Sequence, residues 1–302
     1  MENFQYILPE IFISVSIMLF LLVGVFKKNS ASLIYNLSNI SLVILLALII
    51  NLSSLDTIFL FNDSYLIDNL SNYMKIILVG SGIFVMLTGS KYIQVINLNK
   101  IEYPILILSS ILGMMIMISS NDLIVFYMGL ELQSLALYVL ASFNRDNLLS
   151  TESGLKYFVL SALSSGLLLY GCSLTYGFSE STNFDQILIN STEFNYGTTF
   201  GIVFILVGLA FKISAVPFHM WAPDVYQGSP TSVTLFFAIL PKIAALSVFI
   251  KFLYTPFANM NDQWQTIIVF ISIASMIFGA VAAIGQKNLK RLIAYSLSLI
   301  HI

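Results

Sequence analysis

Long apolar segments alternate with short polar connections along this chain, and the pattern repeats about nine times before residue 290. Each segment is long enough to cross a hydrocarbon core of about 30 Å as a helix. The segments cover approximately residues 9–26, 33–52, 72–91, 103–119, 122–143, 154–178, 198–216, 230–254 and 264–284, and a tenth begins near Asn288. The hydrophobic pattern therefore predicts an all-α polytopic membrane protein, with one membrane domain over residues 1–302.

The composition supports an integral membrane protein and excludes a soluble globular one. Of the 302 residues, 58% are hydrophobic and 9% are charged, against about 25% in ordinary soluble domains. The mean hydropathy is +0.91. A net charge of -2 without a basic block predicts no nucleic-acid partner. The acidic N-terminus lacks a signal-peptide pattern, so the first segment is expected to be a retained span in the lipid bilayer.

The basic residues predict the orientation of these spans. With the N-terminus outside, the inner connections carry nine of the thirteen Lys and Arg residues, and the outer connections are mostly acidic. This asymmetry obeys the positive-inside rule, so the N-terminus is predicted on the outer side. The inner residues are Lys27, Lys28, Lys91, Lys100, Arg145, Lys156, Lys287, Lys290 and Arg291; the outer acidic ones are Asp56, Asp63, Asp68, Glu180, Asp185, Glu193 and Asp262.

Three ionisable residues lie inside apolar segments, near the expected middle of the membrane. Glu131 is in the fifth segment, Lys212 in the seventh and Lys242 in the eighth. An unpaired lysine at this depth costs about 2.5–3.5 kcal/mol on insertion scales, so buried charges usually mark an ion or substrate pathway. Gly201 and Gly208 share a helix face with Lys212, where small residues let a neighbouring helix approach closely.

Prolines beside both lysines predict broken helices. Pro217 deprives the carbonyl of Ile213 of its helical donor, and Pro241 does the same to Phe237. Freed carbonyls at membrane depth are tolerated where protein or a water-filled cavity satisfies them. Together with the buried charges, these breaks predict a hydrated ion path.

Each candidate also has a structural interpretation. Glu131 and Lys212 form either an ion pair that pins two helices or a pair whose opening and closing controls a proton. Lys242 either extends to the membrane surface or acts as a central relay. His219, near the inner mouth of the break, either satisfies a local hydrogen bond or relays protons near neutral pH.

Two further residues have plainer expected roles on sequence grounds. Lys156 begins the sixth span as a solvated anchor, and Tyr295 is interfacial. The chain has no dinucleotide-binding glycine motif and no paired histidines for haem. Its single cysteine, Cys172, excludes a cysteine cluster. No cofactor and no metal site is therefore expected in this chain.

Five stretches of the chain carry a family resemblance: LPEIFI, GLELQSLALYVLASF, ESGLKYFVLSALSSG, GLAFKISAVPFHMWAPDVYQGSPTSV and GQKNLKRLIAYS. They resemble the subunit N family of proton-pumping NADH:quinone oxidoreductase (respiratory complex I), whose mitochondrial counterpart is NADH dehydrogenase subunit 2. The resemblance covers essentially the whole chain, and FKISAVPFHMWAPDVYQGSPT is highly specific to antiporter-like subunits.

The resemblance implies an antiporter-like helical bundle with inverted five-helix repeats and a broken seventh helix. Residues 1–100 would hold three N-terminal helices, 101–254 the first repeat and 255–302 the beginning of the second. Past Ser296 the family continues with several more helices, so a C-terminally truncated piece is expected here.

The resemblance also implies roles for individual residues. Glu131 and Lys212 would form the controlling pair, and Lys242 would be the central relay. The auxiliary positions would be His219, Lys156 and Tyr295.

The partners implied are protons, lipid and the other membrane subunits of complex I. NADH, FMN, iron–sulfur centres and quinone would be held by partner subunits, and the location would be a bacterial inner membrane rather than a mitochondrial one. We therefore expect a subunit that translocates protons while electron transfer occurs elsewhere. A subunit of a cation/proton antiporter and a purely structural membrane subunit are the alternatives.

Overall fold

The computed structural model describes residues 2–27, 30–53, 56–190 and 195–300. Lys28 and Glu193, which contributed to the predicted orientation, lie outside these ranges. The helices are α1 (Leu8–Phe26), α2 (Ala31–Asn51), α3 (Asn69–Val95), α4 (Glu102–Ser119), α5 (Leu123–Ala141), α6 (Leu148–Ser179), α7 (Phe184–Asn190), α8 (Tyr196–Ile213), α9 (Trp221–Gly228), α10 (Thr231–Tyr254), α11 (Asn261–Ile284) and α12 (Leu289–Ile300).

Within the described ranges, nine helices are long and apolar enough to cross a membrane. They match the nine predicted segments in order, and α12 starts one residue after the expected beginning of the tenth. The all-α membrane fold is therefore confirmed. The predicted division into three N-terminal helices and two repeats stays a prediction.

The fold contains one small element that the hydrophobic pattern does not predict. Strands β1 (Ile58–Leu60) and β2 (Tyr65–Ile67) form an antiparallel hairpin in the connection between α2 and α3. Its turn has positive φ angles at Phe61, Asn62 and Asp63. The side-chain amide of Asn121, just before α5, donates a hydrogen bond to the carbonyl of Asp63. This bond holds the hairpin turn against the start of α5.

The seventh span is broken, as predicted, but it ends earlier than the expected residue 216. Helix α8 stops at Ile213 because Ser214 adopts a left-handed conformation with φ of 62°. Residues 214–220 are not helical, and α9 then resumes at Trp221. The break therefore begins at Ser214, two residues after Lys212.

Two helix pairs are in backbone contact through glycines. A Cβ on Gly113 of α4 would lie 2.5 Å from the backbone nitrogen of Gln133 in α5. A Cβ on Gly171 of α6 would lie 2.7 Å from the carbonyl oxygen of Gly201 in α8. This confirms that the small residues on the face of Lys212 admit a close neighbouring helix, and it joins α4 to α5 and α6 to α8.

Candidate functional site

Lys212 is buried in the last turn of α8, with 5% of its surface exposed. Its Nζ donates to the hydroxyl of Ser134 on α5 at 2.7 Å and to that of Ser161 on α6 at 2.8 Å. The hydroxyl of Tyr138 also donates to Ser161, at 2.8 Å. The ammonium group is therefore held by neutral hydroxyls from two other helices.

The direct ion pair between Glu131 and Lys212 is not formed in this structure. No ion pair joins them among the described residues, and Oε1 of Glu131 is buried without a hydrogen-bond partner there. Glu131 lies three residues before Ser134 and therefore on the same face of α5. Because the two serine hydroxyls bind the ammonium, the carboxylate stands beside the lysine site without contacting Nζ.

Lys242 lies against the helix break and does not reach the membrane surface. Only 2% of the residue is exposed. Its Nζ donates to the hydroxyl of Ser214 at 2.5 Å and to the carbonyl oxygen of Lys212 at 3.1 Å. The same nitrogen lies 5.4 Å from the ring centroid of Trp221, a cation–π distance. The structure therefore brings the two predicted intramembrane lysines together.

The carbonyls freed by the helix breaks have side-chain donors. The hydroxyl of Tyr226 donates to the carbonyl of Phe237 at 3.1 Å, which is the group that Pro241 was predicted to free. At the other break, Nε1 of Trp221 donates to the carbonyl of Phe211 at 2.9 Å, and this carbonyl also accepts the backbone amide of Ser214 at 3.0 Å. The early end of α8 explains why Phe211 and Lys212, rather than Ile213, supply the accepting carbonyls.

His219 and Tyr295 are neighbours, which the sequence did not predict. Their ring centroids are 6.1 Å apart, so the residues after the break contact α12. Nδ1 of His219 is buried and has no hydrogen-bond partner in the described part of the chain. This ring is therefore beside the break but not bonded to either lysine.

Lys156 belongs to a charged cluster of four residues at the predicted inner end of α6. Its Nζ lies 2.7 Å from carboxylate oxygens of both Glu152 and Asp224, and Asp224 also pairs with Arg291 at 2.6 Å. Between 33% and 47% of each of these side chains is exposed. Lys156 is thus a partly solvated residue that also links α6, α9 and α12.

Sequence reasoning missed three buried charged residues. Glu10 and Lys75 form an ion pair of 2.7 Å, with 9% and 4% of their side chains exposed. Lys251 is also buried, and its Nζ lies 3.4 Å from the carbonyl oxygen of Ile118. Glu10 and Lys75 both lie in apolar segments, close to the predicted outer side of the membrane. Two opposite charges at similar depth could have identified the pair from the sequence.

Two buried lysines beside a broken helix, within a bundle of membrane-length helices, define an antiporter-like membrane subunit. Residues 120–302 match the transmembrane family described as NADH:quinone oxidoreductase/Mrp antiporter. The chain belongs to this family.

Its relatives include NADH-quinone oxidoreductase subunit N of Pelagibacter ubique, 70% identical over 298 residues, which are 98% of this chain and 63% of that protein. Subunit N of Rhodospirillum rubrum is 51% identical over 294 residues, covering 96% and 60% of the two chains. The resemblance to subunit N is thereby confirmed. The chain spans somewhat less than two thirds of the length of these relatives.

Solved structures share the fold. A chain of respiratory complex I from Thermus thermophilus with bound aureothin superposes with a TM-score of 0.82 at 28% identity, over 97% of this chain and 62% of that one. A chain of the Mrp complex from Dietzia has a TM-score of 0.84 at 18% identity, over 98% and 57% of the two chains. The second likeness concerns the fold alone.

Proposed function

We propose that this chain is part of the membrane arm of a NADH:quinone oxidoreductase and passes protons along the membrane midplane through Lys212 and Lys242. The observation that carries the proposal is the contact between the ammonium of Lys242 and the backbone carbonyl of Lys212, at 3.1 Å. The 70% identity to a subunit N supports the choice of complex.

The first step concerns the charge on Lys212. When Glu131 moves toward it, the carboxylate stabilises the protonated amine, and when Glu131 withdraws, the buried ammonium loses that stabilisation. The hydroxyls of Ser134 and Ser161 already contact Nζ, and a hydroxyl can both accept and donate a proton. Lys212 therefore releases its proton into a hydroxyl-lined environment.

The second step begins when Lys242 has released its own proton. The neutral amine of Lys242 then receives the proton through Ser214. The hydroxyl of Ser214 contacts Nζ of Lys242 at the point where α8 ends, and a hydroxyl can both accept and donate a proton. His219, Tyr295 and Lys156 serve as auxiliary positions on the inner side.

The remaining expectations belong to the same proposal. Other membrane subunits of the complex surround this chain in a bacterial inner membrane, with the N-terminus outside. NADH, FMN, iron–sulfur centres and quinone are bound by those partners. Protons are the transported species.

Two other functions fit the same family. A cation/proton antiporter subunit is supported by the Mrp antiporter part of the family description, and sodium-dependent proton exchange without NADH would favour it. A purely structural membrane subunit would leave proton pumping unchanged when Lys242 is replaced by alanine.

The decisive test is Lys212→Ala in the full-length subunit within its assembled complex. We expect the membrane potential generated by NADH oxidation to be abolished or greatly reduced. Lys91→Ala is the matched control, because Lys91 is an exposed lysine near the end of α3. Full potential with Lys212→Ala in an assembled complex would reject the proposal.

A further inference from the structure

A buried cluster of charged residues lies at the opposite end of the bundle from the partly exposed cluster around Lys156. Lys75 of α3 donates to Oε1 of Glu10 on α1 at 2.7 Å, and the hydroxyl of Tyr65 on β2 donates to the same oxygen at 2.8 Å. Nζ of Lys75 also lies 3.1 Å from the Tyr65 hydroxyl. We call Glu10, Tyr65 and Lys75 the hairpin triad.

The second carboxylate oxygen of Glu10 is unsatisfied. Oε2 is buried and accepts no hydrogen bond from any residue that the structure describes. A buried acceptor without a partner costs about 1–3 kcal/mol, and more when it carries charge. We therefore expect Oε2 to accept a hydrogen bond from a molecule other than the described residues of this chain.

A cavity of about 440 Å³ adjoins the triad. Glu10 and Tyr65 line it, together with Ser14 and Ser64, and its other walls are mainly apolar side chains of α1, α4 and α5 and of the hairpin turn. Its volume exceeds the roughly 30 Å³ occupied by one liquid water molecule, and the polar lining offers the two or more partners that a bound water needs.

From this geometry we infer that the cavity is a water-filled vestibule in which Glu10 is the proton-binding group. Water donates to Oε2. A hydronium ion that reaches this water passes its excess proton to the carboxylate and leaves neutral water, and the reverse exchange returns the proton. One proton and no electrons move in this exchange, and Lys75 keeps its ammonium proton on the other side of the carboxyl group.

The surrounding charges determine when Glu10 takes up a proton. The ammonium of Lys75 favours the carboxylate. Burial, and then the charge of Glu10, raise the pKa of Tyr65 well above its usual value, so that hydroxyl remains a donor. Farther out, Lys251 on α10 interacts with Lys75, and also with Asp68 and Asp185. The side chains of α4 and α5 that line the cavity are apolar.

Dicyclohexylcarbodiimide tests this site directly, because it reacts with protonated carboxyl groups in apolar surroundings. The assembled complex is treated over a range of pH, and the adduct on Glu10 is measured by mass spectrometry. We expect labelling of Glu10 that increases as the pH falls. Labelling that is absent at every pH, or that does not change with pH, overturns the inference.

Two variants sharpen the result without measuring transport. Lys75→Met removes the charge that favours the carboxylate, so Glu10 should be labelled more strongly than in the unaltered chain at the same pH. Tyr73→Phe is the control, because Tyr73 is exposed on the same turn of α3. Unchanged labelling of Glu10 in Lys75→Met contradicts the role of the pair.

The readout separates this inference from the proposed function. Labelling reports protonation of Glu10 whether or not the Lys212 path carries protons. If Lys212→Ala leaves the membrane potential intact, the proposed function is rejected, but the pH-dependent adduct on Glu10 can still form. If Lys212→Ala abolishes the potential, that result does not by itself produce an adduct on Glu10.

Discussion

The ammonium nitrogen of Lys242 lies 3.1 Å from the carbonyl oxygen of Lys212, so the two buried lysines meet through the backbone where α8 ends. In an uninterrupted helix this carbonyl would accept an amide hydrogen four residues later. The break makes it available to a side chain. The lysine contact is therefore a direct consequence of ending α8 at Ile213.

We predict that Ser214→Ala slows proton translocation about tenfold, because a hydrogen bond to a charged group contributes roughly 1.5–3 kcal/mol. Ser214 bonds Nζ of Lys242 at 2.5 Å. The measurement is the initial rate of membrane-potential formation in vesicles containing the complex.

Ser247→Ala is the matched control for Ser214→Ala. Ser247 is equally buried, but its hydroxyl donates only within its own helix, to the carbonyl of Ala244. Equal rates for the two variants would remove Ser214 from the path.

The pairing of Tyr226 with the carbonyl of Phe237 can be tested by a double-mutant cycle with Pro241. Tyr226→Phe should lower the free energy of unfolding by about 1–3 kcal/mol, because it leaves the buried carbonyl of Phe237 without this hydrogen-bond donor. In a Pro241→Ala background the new amide hydrogen can bond Phe237, so the same change should cost less. Reversible unfolding in detergent measures both costs, and equal costs would contradict the assignment.

Asp224→Asn should loosen α12 with little effect on global stability. The ion pairs of Asp224 are about one-third exposed, so solvent screening limits their contribution to less than about 1 kcal/mol. We expect faster amide hydrogen exchange in α12, with a smaller difference at high salt. Asp262→Asn, at an exposed position in the first turn of α11, should leave α12 unchanged.

His219 should make the folded protein less stable in acid. Partial burial lowers the pKa of His219 below its usual 6.5, so the unfolded chain binds the proton more readily. Stability therefore falls as the pH drops through 6.5, and this loss is complete below the folded-state pKa.

The variant His219→Gln isolates that contribution. Its melting temperature should fall less than that of the wild type between about pH 7.5 and pH 5.5, since all other groups titrate in both proteins. Identical pH profiles would show that the ring is as solvated in the folded state as in the unfolded one.

The order and number of spans could be predicted because each is a long apolar segment with its own signal. Pro241 likewise predicted the free carbonyl of Phe237, since loss of an amide donor is a local property of proline. The early end of α8 could not be predicted, because it depends on the left-handed conformation of Ser214.

The candidate site was predictable as a set of residues but not as a set of contacts. Glu131, Lys212 and Lys242 were found because charge is costly in hydrocarbon. That Lys212 contacts Ser134 and Ser161 rather than Glu131 depends on how α5, α6 and α8 are arranged in three dimensions. Serine is common in these helices, so neither hydroxyl stood out in the sequence.

The glycine contacts place Glu131 and Lys212 in two different helix pairs. Backbone contact at Gly113 ties α5, and hence Glu131, to α4, whereas contact at Gly171 ties α8, and hence Lys212, to α6. Sliding within either pair would drive backbone atoms together. At the depth of Lys212 the two pairs meet through side chains, since Nζ of Lys212 bonds the hydroxyl of Ser134 on α5. A displacement of one pair relative to the other would therefore change the distance between Glu131 and Lys212.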